Sequence, residues 1–349
     1  MNFYIKQKSA FLYFSPILIL ILIISIDRLF TIQSIRRLTE TRAEYYFYQI
    51  REKLIPANVK EQKENPNQST LFILGTSHLG ELSTEVMEKS RPDLLPYNYS
   101  TPSAPFSYYY YIFSKAIDKG VTPKYLVLEV FPFSATKEAN FYALRYSYDW
   151  NFFRREFYHF DWNEKDTLLR SQFFETQKFP FRLSEAMKRF KDPSQAQIFE
   201  MLRDRIENDY KKNRGGIAND LIHNIPPEKL QLESESYYRS TLANLQFSED
   251  QFYFLEQVFK KAEEHKIPIL VLETIQYPAL YELIQNAPFQ IVWNFRMNLF
   301  KNKYKFTYLK FQEYEKELDC KYFIDSHHLS GKCYEKPTEI LMKNLPQIP

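Results

Sequence analysis

Residues Ala10 to Ile26 read AFLYFSPILILILIISI, an apolar run without a single charge. As a helix, about 17 residues rise roughly 26 Å, just enough to cross a thin hydrocarbon core. Lys6 and Lys8 precede the run, and Asp27 and Arg28 close it. A cleaved signal peptide needs a small-residue cleavage site. Ser25-Ile26-Asp27-Arg28 offers none, and no cysteine follows for lipid attachment. The reading is an uncleaved signal anchor within residues 1–30, with a cleaved signal and a buried core helix as the alternatives. No other stretch is long enough to span, so the expected protein is single-pass. Lys6, Lys8 and the α-amine lie in front of the run, and Arg28, Arg36, Arg37 and Arg42 lie behind it. By the positive-inside rule that count favours a cytoplasmic body.

The rest of the chain is polar, and the mean hydropathy of −0.47 over 349 residues hides the anchor. Net charge is +3 with a pI near 8.5. With no basic stripe, these values are too near neutral to argue for nucleic acid, and none is expected as a partner. Glycine is scarce, 6 residues, where ordinary usage would give roughly 24. The positions of those glycines are therefore informative.

Residues 31 to about 54 carry Ile35, Leu38, Tyr45, Tyr46 and Ile50 at helical spacing and read as a juxtamembrane helix. Pro56 to Ser69 is polar and aperiodic and reads as a linker, so residues 31–70 join the anchor to a body at 71–349. LFILG at 71–75, Leu95 to Ser100, YLVLEV at 125–130 and IPILVLE at 267–273 read as strands. Phe306 to Leu309 and Tyr322 to Ile324 are shorter candidates. Helices are expected over His78 to Lys89, Phe106 to Asp118, Gln251 to Lys266, Ala279 to Asn302 and Ile340 to Leu345. This alternation predicts an α/β fold with a parallel sheet covered on both faces by helices. It breaks at about 131–247, an aromatic and mostly helical insertion. Tyr108 to Tyr111 reads as packing. The stretch around Arg145, Trp150, Arg154 and Arg155 reads as a solvated helix face, with a rim for an anionic ligand as the alternative.

Two motifs carry chemistry. Gly75-Thr76-Ser77-His78 follows the first strand, and Asp325-Ser326-His327-His328 follows the last candidate strand. In a doubly wound sheet, ligands gather at the carboxyl ends of strands. A serine at a strand-to-helix turn presents its hydroxyl outward, near N–H groups that favour an oxyanion. It needs a base, and a carboxylate to fix the base's tautomer. Asp325 and His328 are three apart, so one turn of chain can join them. The bland alternatives are a helix N-cap for Ser77 and a surface turn or metal pair for His327 and His328. No cysteine or carboxylate cluster has metal spacing, so neither a metal nor another cofactor is expected.

The strand-GTSH turn and the late D-x-x-H-L-S resemble the first and last sequence blocks of the SGNH (GDSL-like) hydrolase superfamily. With the anchor and the long insertion, the chain is similar to its membrane-anchored branch, which contains the D-alanyl transfer protein DltD and the alginate O-acetylation proteins AlgX and AlgJ. It looks closer still to an uncharacterised SGNH-like family of spirochaetes. The resemblance implies a flavodoxin-like sheet, with Ser77 as nucleophile, His328 as base, Asp325 as its partner and His327 as the fallback base. In the second block, serine stands where the family has glycine, which leaves Ser103 as a backbone oxyanion donor beside Asn98. The third block's G-x-N-D is absent, since Phe131-Pro132-Phe133-Ser134 follows YLVLEV. The implied function is a serine esterase or O-acyltransferase acting on a cell-envelope glycan or lipid. The alternative is a non-catalytic accessory or glycan-binding partner of a multi-pass membrane acyltransferase. Family topology implies an extracytoplasmic body on the inner membrane, against the charge count. In that compartment Cys320 and Cys333, which flank the D-x-x-H motif, could pair.

Overall fold

The computed structural model describes residues 2–36, 44–180, 182–217, 222–318 and 320–346. Five short apolar runs form five parallel strands: β1 Ser69–Leu74, β2 Leu94–Asn98, β3 Pro123–Glu129, β4 Ile269–Glu273 and β5 Thr307–Lys310. Their spatial order is β2-β1-β3-β4-β5, the flavodoxin-like arrangement of an α/β sheet. Successive side chains on a strand point to opposite faces. Leu71, Ile73, Tyr125, Val127, Leu270 and Leu272 accordingly enter one core, and Phe72, Leu74, Leu126, Leu128 and Val271 enter the other. Both faces are covered, which is why these strands read as continuous apolar runs.

The helices are, in chain order, α1 Asn2–Arg28, α2 Glu44–Glu64, α3 Thr84–Ser90, α4 Phe106–Asp118, α5 Asn140–Tyr146, α6 Trp150–Arg155, α7 Trp162–Phe173 and α8 Glu175–Lys178. They continue with α9 Leu183–Lys191, α10 Ser194–Lys212, α11 Pro227–Tyr237, α12 Glu249–Glu264, α13 Pro278–Gln285, α14 Phe289–Lys303 and α15 Glu335–Lys343. α4 and α12 pack on one face of the sheet, and α3 and α15 on the other. Among the described residues, one segment, Phe14–Thr31, is long and apolar enough to cross a membrane.

Several sequence expectations need correction. Pro56 to Glu64 is helix rather than linker, because Pro56 sits inside α2 and that helix buries Tyr48, Leu54 and Ile55 in the core. The juxtamembrane stretch forms one helical turn at Gln33–Arg36 and then α2, while Arg37, Leu38 and Arg42 lie outside the described residues. The helix expected at His78 shrinks to a 3-10 turn, Ser77–Leu79, and α3 begins at Thr84 with Ser83 as its cap. The helix expected over Ala279 to Asn302 is broken at Ala287-Pro288, since proline cannot continue the backbone ladder. Tyr322 to Ile324 is not a strand and contributes a single bridge, Phe323 to Leu329.

The insertion leaves and rejoins the sheet at one place. Thr136 bridges Phe247, and Ser248 N donates to Ala135 O at 2.8 Å. Its middle returns to the sheet edge, where Asn98 N donates to Arg214 O at 2.9 Å. Arg51 of α2 secures that return. Fully buried, it donates through Nη1 to Asn98 O at 2.8 Å and Gly215 O at 2.5 Å, and through Nη2 to Tyr210 Oη at 2.8 Å. Arg51→Met keeps most of the apolar stem but removes the donors from three buried acceptors. The variant should lose about 3 kcal/mol of unfolding free energy in a urea titration of detergent-solubilised protein.

Candidate active site at the carboxyl edge of the sheet

The site forms where β1 and β3 lie side by side and the chain leaves them in opposite directions, the usual ligand crevice of this fold. Glu129, the last residue of β3, is fully buried. An isolated buried carboxylate is costly, so it requires donors. Thr76 N donates to Oε2, and Thr76 Oγ1 and Thr274 Oγ1 approach Oε1 at 3.2 and 3.4 Å. His78 Nδ1 lies 2.6 Å from the same Oε1, and the imidazole is 4 % exposed. Gly75 makes this approach possible. A Cβ there would lie 2.6 Å from Glu129 Oε2 and 2.7 Å from Leu79 Cδ1. The glycine thus serves close packing, and a positive φ is not involved.

Thr76 caps the 3-10 turn, so Ser77 is free of that task. Ser77 Oγ lies 2.7 Å from His328 Nε2, and His328 Nδ1 lies 2.8 Å from Asp325 Oδ2. An ionised carboxylate only accepts. Nδ1 therefore carries the proton toward Asp325, and Nε2 is left to accept from the serine hydroxyl. Asp325 Oδ1 also accepts from the backbone N of His327 and His328 at 2.9 and 2.8 Å. Burial opposes its ionisation, but the His328 contact and these N–H groups outweigh that and hold the carboxyl well below the usual carboxylate range. The Asp–His loop is itself tied down. The Cys320–Cys333 disulfide closes it, with Cα atoms 5.4 Å apart, and Ser326 O accepts from Tyr277 N at 3.0 Å.

His327 points elsewhere. Its ring stacks on Tyr237 at 4.2 Å with an interplanar angle of 12°, and its recorded polar neighbours are Ser326 and Asp325. Tyr237 belongs to α11, which runs on into a π-helical turn at Tyr238–Leu242. Glu233 of the same helix approaches Asp325, and burial followed by that like charge raises its pKa. The insertion therefore forms one wall of the site.

Asn98 is fully buried and already engaged. Its Nδ2 donates to Leu79 O at 2.7 Å, and its Oδ1 accepts from Ser100 N at 3.0 Å. Ser103 lies in the loop after β2 with φ of 54°, a left-handed conformation that favours glycine. That loop joins the β1 turn through Thr101 N, which donates to Gly75 O at 2.9 Å. A cavity of about 610 Å³ along α2 and α10, lined by Lys53, Lys60, Tyr97 and Arg214, lies apart from Ser77.

Ring nitrogens of His78, His327 and His328 come within 4.8 Å of one another, the spacing of a metal site. The donor chemistry of these three histidines fits a metal poorly. Both nitrogens of His328 are committed to Asp325 and Ser77, and Nδ1 of His78 is committed to Glu129. Three ring nitrogens remain, but on only two residues, His78 and His327, fewer than the three protein ligands usual for catalytic zinc. Sequence reasoning missed Glu129, His78, Tyr237 and Glu233. The available signal was a lone glutamate ending the apolar strand YLVLE, because a charge in a buried strand needs partners.

Burial, then the nearby His328 and His78, push His327 down from 6.5 to about 3. Between those values the unfolded chain binds a proton that the folded chain does not, so stability rises with pH across this window and is complete above 6.5. His327→Phe keeps a ring against Tyr237 and removes the titration. Wild type should lose up to about 1.4 kcal/mol per pH unit on acidification from about pH 6.5, and the variant should lose less, measured as Tm against pH.

A comparison with curated proteins finds no match. A family model described as "Protein of unknown function (DUF1574)" matches residues 7–345, nearly the whole chain, and the protein belongs to that family.

Proposed function

We propose that the protein is a membrane-anchored, SGNH-like serine esterase or O-acyltransferase acting on a glycan or lipid of the cell envelope. The observation that carries this reading is the 2.7 Å contact between Ser77 Oγ and His328 Nε2, with Asp325 on the far nitrogen. In the proposed reaction, Ser77 Oγ attacks an acyl carbonyl as its proton passes to His328 Nε2. The tetrahedral intermediate collapses to the acyl-enzyme, and the leaving oxygen takes the proton from His328. Water or a sugar hydroxyl then attacks, gives its proton to His328, and the acyl group departs with regeneration of the serine. Asp325 holds the tautomer and stabilises the imidazolium.

The oxyanion would lie near the Ser103 backbone and His78. In this reading His78 pairs with Glu129 as an imidazolium, with protons on both ring nitrogens, so that its Nε2–H stands in for the asparagine donor that the sequence lacks after β3. Asn98, engaged as it is, shapes the loop, and His327 acts as a wall. The Cys320–Cys333 disulfide supports an oxidising, extracytoplasmic compartment against the positive-inside count. The absence of G-x-N-D favours the second reading, a non-catalytic accessory of a multi-pass acyltransferase.

A fluorophosphonate probe on the full-length protein separates the two. Wild type should label at Ser77, Ser77→Ala should not label, and Asp325→Asn should label about 10⁴-fold more slowly. Equal labelling of wild type and Ser77→Ala would sink the serine chemistry. His78→Gln should slow labelling by about 10²–10³ while leaving the final extent unchanged. An unchanged rate would remove His78 from the oxyanion site.

A further inference from the structure

The anchor helix does not simply precede the body; its end is built into the insertion. Asp27 is 4 % exposed, and its carboxylate caps α8, accepting from Glu175 N at 2.6 Å, Thr176 N at 2.9 Å and Thr176 Oγ1 at 2.6 Å. Arg28 donates to Phe173 O at 3.3 Å and approaches Glu175 at 3.4 Å. α8 therefore sits at the level where the apolar run ends. From Lys178 to Leu183, at most about 17 Å of extended chain leads into α9. α9 thus starts within about 17 Å of the end of α8.

α9 carries an apolar ridge that is exposed among the described residues. Leu183, Met187 and Phe190, at i, i+4 and i+7, are 63 %, 53 % and 82 % exposed, whereas Arg189 turns inward. Leu29, Ile32 and Phe173, beside the end of the anchor, are 46 %, 47 % and 60 % exposed. Isolated exposed apolar residues are ordinary, but three in a row on one helix face and three more at the end of the apolar helix are the pattern of an interaction surface. Arg28, Arg182, Lys188 and Lys191 are exposed on the same segments, Lys188 paired with Glu185 at 3.1 Å. Apolar side chains bordered by cations suit the headgroup and acyl boundary of an anionic bilayer.

The orientation of the sheet follows from the same contacts. Phe179, just after α8, lies 4.6 Å from the Tyr45 ring at the start of α2. α2 then runs down the sheet. Tyr48 Oη reaches Pro102 O, beyond the carboxyl end of β2, at 3.4 Å, and Gln62 Nε2 reaches Thr122 O, ahead of β3, at 3.0 Å. The carboxyl edge, with Ser77, is thus the edge on the α8 side.

We propose that the surface formed by Leu29, Ile32, Phe173, Leu183, Met187 and Phe190 rests in the interface of an anionic bilayer, with the carboxyl edge of the sheet on the membrane side. The inference rests on the anchor reading of α1 and is independent of the serine chemistry. Under the proposed function, it restricts the acyl donor or acceptor to molecules presented at the membrane surface.

The two native cysteines are bonded to each other, so an added cysteine gives a single labelling site. Phe190→Cys, Lys60→Cys and Leu20→Cys would each carry an environment-sensitive fluorophore on the full chain in phosphatidylcholine–phosphatidylglycerol vesicles. Lys60 lies about 22 Å along α2 from Tyr45 and is the control away from the membrane. Brominated acyl chains should quench positions 20 and 190 several-fold and leave position 60 unquenched. Quenching at 20 but not at 190 overturns the interfacial proposal while leaving the anchor. That pattern, combined with concentration-dependent shielding of position 190, would instead assign the ridge to a second copy of the chain. Absence of quenching at both positions overturns the anchor and the proposal together. The fluorophosphonate result is a separate readout and tests only the serine.

Discussion

The buried carboxylate of Glu129 is the constraint around which the end of the sheet is arranged. A carboxylate removed from water loses several kcal/mol of hydration unless donors replace it. Here the donors come from the β1 turn, from the loop after β4 and from His78. Satisfying Glu129 therefore positions Thr76 and His78 and, between them, Ser77. The requirement extends back to Gly75, whose missing Cβ leaves the space that the carboxylate oxygen occupies.

The second fixed part is the loop bearing Asp325 and His328. Its disulfide, its Phe323–Leu329 bridge and its hydrogen bond to Tyr277 leave the Asp–His pair little freedom. A serine and a histidine 251 residues apart in the chain meet because both segments are over-determined before they meet. Under the proposed function this is preorganisation, in which geometry is settled before charge develops.

The insertion links the site to the apolar N-terminal helix. α8 receives the end of α1, the Arg214 segment joins the sheet edge beside β2, and Tyr237 of α11 stacks on His327. Aromatic rings serve at these junctions, Phe179 against Tyr45 and Tyr237 against His327, where flat rings bury area with few rotamers to restrict. The glycines divide along the same lines. Gly75 permits the approach of Glu129, and Gly215, with φ of 93°, permits the insertion to pass Asn98 O. Both are needed where two backbones or a backbone and a buried charge come together.

Local patterns were sufficient for the five strands, for α4 and α12, for the apolar N-terminal helix and for the pair Asp325 and His328, because each depends on neighbours within one turn or one strand. The proline and the polar tail of α2 read as linker because that helix is held by tertiary burial rather than by its own periodicity. The 3-10 turn after Ser77 read as a longer helix because the N-cap at Ser83 lies inside an otherwise helix-compatible stretch. Strand order, the meeting of Ser77 with His328, the partners of Glu129 and the stacking of His327 rest on contacts between distant segments. Residue types and spacing along the chain determined which groups were available for chemistry. Which of them share a proton was decided only by packing, since a hydrogen bond depends on distances of about 3 Å that no sequence spacing specifies.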